Sequence, residues 1–139
     1  MAKALREVFG EALRELGAEN EKVVVLDADL SGATRSILFG QAYPDRFFNV
    51  GIAEANMVSI AAGLSTCGKV PYACTFSFLL ALRALDQIRS QVCYPNLNVK
   101  FVGTNGGLSG FGDGATHQTT KDIAIMTSLP NMKVLVPSD

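Results

Sequence analysis

Lys22-Val23-Val24-Val25-Leu26 is the stretch that most narrows the folds open to this chain. It is a short apolar run rich in β-branched residues, without the polar alternation of a half-solvated strand. Such a run reads as a strand buried on both faces, which calls for helices on both sides of a sheet. The flanking segments have the period to supply them. Leu5, Val8, Phe9, Ala12, Leu13 and Leu16 share one face of a helix expected over residues 3–16, with Gly17 closing it. A short helix is expected over 35–42, stopped before Pro44, and a second strand over 47–51. Ile52, Ala53, Met57, Ile60, Ala61 and Leu64 recur at helical spacing until Gly68. A third strand follows over 70–76, then a helix over 77–92 with Leu79, Leu82, Leu85, Ile88 and Val92 as its buried stripe. A fourth strand spans 98–103, a last helix 122–128 and a fifth strand 132–136. Strands alternating with helices at about 30 residues per unit imply right-handed crossovers. The expected class is α/β, a doubly wound, mostly parallel sheet with helices on both faces.

The polar residues that do not look like scaffold gather where these strands end. Asp27 and Asp29 follow the first strand, Glu54 the second, Thr75-Phe76-Ser77 close the third, and the loop after the fourth holds Asn105, Asp113 and His117. In a parallel sheet these ends share one edge, where open α/β sheets place their ligands, so one crevice can collect them all. Glu54 is the centre of this set, because Phe47-Phe48-Asn49-Val50-Gly51 delivers it from a strand straight into the first turn of a helix. An acidic residue there also serves simply to complement the helix dipole. Gly106, Gly107, Gly110, Gly112 and Gly114 let the last loop approach a ligand closely. His117, the single histidine, reads either as a structural side chain or as a functional one at the end of that loop.

Composition removes several classes of function. Lys and Arg total 12 against 13 Asp and Glu, a formal charge of −1, which argues against a nucleic-acid or membrane-surface partner. No apolar run reaches transmembrane length, and Met1-Ala2-Lys3-Ala4-Leu5-Arg6-Glu7 lacks the apolar block of a signal peptide. Cys67, Cys74 and Cys93 stand in apolar settings without CxxC spacing, so buried thiols in a reducing cytoplasm are expected. Gly110-Phe111-Gly112-Asp113-Gly114 fails as a dinucleotide fingerprint, since its third glycine comes too early and no helix opens behind it. Its GDG also fails as a magnesium-diphosphate motif, because Asn131, the nearest downstream asparagine, is too close; no metal site is expected in this chain. The sequence stops at Val136-Pro137-Ser138-Asp139, just after a predicted strand. Residues 1–139 are therefore expected to be one domain, a piece of a longer polypeptide.

A family resemblance covers nearly the whole chain. Asp29-Leu30, Gly51-Ile52-Ala53-Glu54-Ala55-Asn56, Thr75-Phe76, Arg83-Ala84-Leu85-Asp86-Gln87-Ile88-Arg89, Asp113-Gly114-Ala115-Thr116-His117-Gln118 and Leu129-Pro130-Asn131 stand in the order and spacing of one domain. That domain is the pyrimidine-binding domain of transketolases, and the chain most resembles the split kind, where it begins a separate carboxy-terminal-section subunit. Deoxyxylulose-phosphate synthases share much of the pattern.

The resemblance implies a cofactor, thiamine diphosphate, lying between this chain and a partner. The partner, an amino-terminal-section subunit, would hold magnesium and the diphosphate. It also implies a homo-dimer or hetero-tetramer, sugar phosphate substrates and a cytoplasmic enzyme of the pentose phosphate pathway. Glu54 matches the glutamate that hydrogen-bonds the aminopyrimidine ring nitrogen, where a shared proton drives the tautomerisation that lets the cofactor's amino group deprotonate the thiazolium carbon. Asp29 and Ile52 match cofactor-region positions; Phe76, Leu79 and Leu82 match walls of the aminopyrimidine. Leu79 and Leu82 depart from the family's usual aromatics and read equally as helix core. Asp113 and His117 match substrate-channel residues, His117 also standing near the reacting carbon. Asn105 stands where a substrate histidine is frequent, Gly112 where an acidic residue is common, and Ala33 where a phosphate-binding serine is common. These departures leave the sugar open. Besides ketol transfer, the alternatives are a deoxyxylulose-phosphate-synthase-like or specialised ketose enzyme, and a non-catalytic α/β binding module.

Overall fold

The valine run forms strand β1 (Val23–Asp27), every residue of it buried. It lies between β2 (Phe47–Asn49) and β3 (Val70–Phe76), and β4 (Lys100–Thr104) adds beyond β3, giving the order β2-β1-β3-β4. All pairings are parallel, with Val25 opposite Phe47 on one side and Tyr72 on the other, and Tyr72 opposite Lys100. The computed structural model describes residues 3–138, the Phe111 side chain apart; Met1, Ala2 and Asp139 lie outside the described residues.

Helices cover both faces. On one, Leu26 and Ala73 pack against Met57, Val58 and Ala61 of helix α4 (Glu54–Thr66), with Ile88 and Val92 beside them. On the other, Val23, Val25 and Cys74 meet Leu13 and Phe39. These come from α1 (Leu5–Glu19) and α3 (Ile37–Ala42), which follows a single turn, α2 (Ser31–Thr34). The two-sided burial expected of the valine run is what the sheet provides.

Several expectations need correction. Gly17 does not end α1, which runs on to Glu19. A Cβ on Gly17 would stand 2.6 Å from Phe39 Cε2 and from Tyr43 Cε2, so the missing side chain admits two rings rather than a turn. Because Gly10, Leu13 and Gly17 form the buried seam, Leu5 and Val8 of the predicted face stay exposed. Cys67, expected buried, is exposed at the end of α4, while Cys74 and Cys93 are buried; all three are free thiols.

The long helix expected over 77–92 is broken into a π-type turn (Leu79–Arg83), one α-turn α5 (Leu85–Gln87) and a second π-type turn (Ile88–Cys93). Ala84 N–H reaches back to Leu79 O at 3.1 Å and Tyr94 N–H to Arg89 O at 3.0 Å, five residues each time. The expected fifth strand over 132–136 does not form, and Leu135 and Val136 are exposed. Asn131 takes a left-handed turn at φ 64° and donates from Nδ2 to Cys93 O at 3.0 Å, tying this segment's start to a helical turn rather than to a strand edge. Helix α6 (Asp122–Thr127) precedes it. Among the described residues no helix is long and apolar enough to cross a membrane.

Candidate functional site

The strand order reverses between β1 and β3, and a cleft of about 320 Å³ opens at the carboxyl ends of the strands around that point. Asp29, Leu30, Ile52, Glu54, Phe76 and Leu79 line it, together with Phe78, Arg83, Thr116 and His117. The sheet thus brings Asp29, Ile52, Glu54, Phe76, Leu79 and His117 to one place from loops scattered along the chain.

Glu54 opens α4 and is 1% exposed, its carboxylate turned inward. Arg83 Nη1 donates to both Oε1 and Oε2 at 3.1 Å, and this guanidinium comes from a side chain 55% exposed. A buried carboxylate needs such a partner, since an unpaired charge away from water is costly. The π-type turn explains why Arg83 reaches it. Each residue of a π-type turn sweeps a smaller angle than in an α-helix, so a residue four positions on still overlies Leu79 while one three positions on has rotated away. Leu82 is accordingly absent from this cleft, 57% exposed, and lines an adjoining hollow with Leu108, Gln118 and Lys121.

Asp29 is aimed by its neighbours. Asp27, fully buried, accepts hydrogen bonds from Leu30 N–H at 2.6 Å, Ser36 Oγ at 2.7 Å and Thr34 Oγ1 at 2.9 Å, which fix the turn after β1. Burial pushes its carboxyl above the ordinary value, an effect that Ser36, Leu30 and Thr34 oppose and the nearby Asp29 charge adds to. Asp29 itself sits at φ 64°. Asn49, the last residue of β2, brackets it: Asn49 Oδ1 accepts from Asp29 N–H at 3.1 Å and Gly51 N–H at 3.0 Å, and Nδ2 donates to Asp29 Oδ1 at 3.1 Å.

The far wall is aromatic. His117 meets Phe78 edge-on at 5.2 Å between centroids and Phe76 at 6.1 Å, and its Nδ1 is 3.0 Å from Thr116 Oγ1. The loop carrying it is packed closely, since a Cβ on Gly110 would stand 2.7 Å from His117 O. Asp122 holds the near end of the same loop, accepting from Ser77 Oγ at 2.7 Å and Gly107 N–H at 3.1 Å. Burial pushes the Asp122 carboxyl up, but hydrogen bonds from Ser77, Gly107 and Ile123 outweigh it and hold it below the ordinary carboxylate value. Asp113 is exposed in a short 3₁₀ turn (Phe111–Asp113), and Asn105 is half-buried at φ 53° just past β4; neither lines the cleft.

Phe78, Arg83 and Asn49 escape the sequence reading. Phe78 carries a signal, as an aromatic residue in the first helical turn directly after the strand end at Phe76. So does Arg83, a lone cation interrupting an apolar stripe four residues after Leu79. Asn49 carries none, since its role is set by two loops that only the sheet brings together.

A small heteroaromatic ring suits this cleft: apolar walls from Phe76, Leu79 and Leu30, and one buried carboxylate to take or share a proton on a ring nitrogen. Among the described residues no group of three or more His, Cys, Asp or Glu is placed to hold a metal ion.

Residues 1–139 match the family described as the transketolase pyrimidine-binding domain. The chain is 51% identical over 137 residues to a putative transketolase C-terminal section of Methanocaldococcus jannaschii, covering 99% of this chain and 43% of that protein. It is 39% identical over 135 residues to the 6-deoxy-6-sulfo-D-fructose transketolase subunit SqwH of a Clostridium species, covering 97% and 42%. A solved structure described as a split-gene transketolase, an inactive β4 tetramer, superposes with a TM-score of 0.85 at 52% identity, over 99% of this chain and 44% of its own. The chain therefore spans less than half the length of these relatives.

Proposed function

The chain belongs to the transketolase family as its pyrimidine-binding domain, and from that premise we propose that it supplies half of the active site of a split transketolase. In this reading thiamine diphosphate binds between this chain and an amino-terminal-section subunit that holds the diphosphate and magnesium. The assembled oligomer transfers a two-carbon ketol group between sugar phosphates in the cytoplasm, within the pentose phosphate pathway. When bound, the cofactor supplies the nucleophilic carbon that takes up the ketol fragment.

This chain's residues bind and tune the aminopyrimidine. Glu54 holds a proton in common with the ring nitrogen, a bond strengthened by its exclusion from water. Phe76 and Leu79 wall the ring, and Leu79 does so by packing alone. Asp29 and Ile52 close the side formed by the β1 and β2 loops. His117, half-buried against Phe76 and Phe78, presents an imidazole to the reacting end of the sugar. Asp113 and Asn105 lie outside the cleft on the loop after β4, and their proposed contacts with sugar hydroxyls rest on the likeness of that loop to the family's substrate channel.

The observation that carries the reading is the buried Glu54 carboxylate facing a cleft that Leu30, Phe76 and Leu79 wall with apolar surface. To test it, the complete enzyme is assembled with its partner subunit, thiamine diphosphate and magnesium, and ketol transfer is assayed. Glu54→Ala is expected to abolish turnover while the circular dichroism spectrum stays that of the folded protein. Near-normal activity in that variant overturns the assignment.

A further inference from the structure

We propose that Arg83 is an internal competitor for Glu54, a guanidinium latch that the aminopyrimidine must displace in order to bind. The proposal rests on the reading of Glu54 given above. It starts from the geometry of the pair: Nη1 lies 3.1 Å from both carboxylate oxygens, astride them rather than on one. Glu54 is 1% exposed, so its carboxylate can be reached only from the cleft, and Arg83 lines that cleft. A ring nitrogen bonding Glu54 has to approach from the same side, in the plane of the same two oxygens.

The partners are unequal in freedom. Glu54 is fixed by burial in the first turn of α4. Arg83 stands on a π-type turn with 55% of its side chain in solvent, and its long stem lets it leave while its charge remains hydrated. The guanidinium therefore yields. Until it does, it gives the buried carboxylate the partner that such a group requires. One residue thus protects the fold when the cofactor is away and opposes the cofactor when it arrives.

The sign of a substitution separates a latch from an ordinary binding contact. Removing a contact weakens binding; removing a competitor strengthens it. Arg83→Met keeps the aliphatic stem on a half-exposed side chain. In the complete enzyme, titrated calorimetrically with thiamine diphosphate in the presence of magnesium, it is expected to tighten affinity about fivefold, the worth of an ion pair with one exposed partner. Arg83→Lys, which retains the charge, is expected to return affinity towards the starting value. In a Glu54→Ala background the Arg83→Met change is expected to have no effect, because nothing is left to compete for. Unchanged or weaker binding in Arg83→Met overturns the latch. If Glu54→Ala itself leaves affinity untouched, the assignment of Glu54 fails instead. An independent check needs no variant. In a crystal structure of the wild-type enzyme with thiamine diphosphate, Arg83 is expected beyond hydrogen-bonding distance of Glu54, and a retained pair refutes the proposal.

Discussion

Asn49→Ala removes the bracket that joins two of the loops forming the cleft. Three hydrogen bonds disappear: Oδ1 with the N–H groups of Asp29 and Gly51, at 3.1 and 3.0 Å, and Nδ2 with Asp29 Oδ1 at 3.1 Å. A buried neutral bond is worth about 0.5–1.5 kcal/mol net, but Asn49 is exposed and water replaces part of each. The lower end of the range applies, about 1.5 kcal/mol in all. Asp29 meanwhile keeps a left-handed backbone at φ 64°, which a non-glycine residue tolerates only when neighbours hold it. The loss should therefore appear first as mobility at Asp29, Leu30 and Gly51, ahead of any global unfolding. Thermal melting is expected to fall by roughly 4–8 °C, amide exchange at those loop positions to quicken, and thiamine diphosphate affinity to drop. Asn49→Asp refines the test. It keeps the acceptor for both N–H groups but sets a second carboxylate against Asp29, so it should be worse than alanine at neutral pH. An alanine variant that melts within about 1 °C of the parent, with unchanged exchange at Asp29 and Gly51, would refute the bracket.

Asp122→Ala is expected to cost about 2–4 kcal/mol in urea unfolding, because Ser77 and Gly107 lose a charged acceptor, and to make the loop over 104–118 more sensitive to protease. The carboxyl of Asp122 titrates in the folded protein below its unfolded value of 3.8, so its stabilisation is complete above that pH and vanishes as pH falls through the depressed folded value. Acid unfolding curves of parent and variant should converge in that window; a gap that persists well below it would show that the charge is not the source. Gly17→Ala should destabilise by about 1–3 kcal/mol despite a better helix propensity, since the added carbon meets Phe39 and Tyr43 rings at 2.6 Å. A stabilised variant would mean that the rings move aside freely.

What the sequence determined by itself was the layering. An uninterrupted valine run can only be a strand hidden on both sides, and strand-then-helix alternation leaves parallel pairing as the economical topology. From these alone Asp29, Glu54, Phe76 and His117 fall at strand ends along one edge, whatever the detail of their surroundings. The tertiary structure decided what no local pattern encodes. A π-type turn exchanges Leu82 for Arg83 in the cleft, because the pitch of a helix depends on the packing imposed on it and not on the spacing of its leucines. Gly17 becomes a socket for two rings that are distant in sequence, and Met132 to Val136 form no strand despite their apolar run, since Asn131 ties the start of that segment to Cys93 O. The partner of Glu54 was hidden for the same reason: a side chain's own position announces its chemistry, but its counter-charge is chosen by whichever neighbour the fold carries within reach.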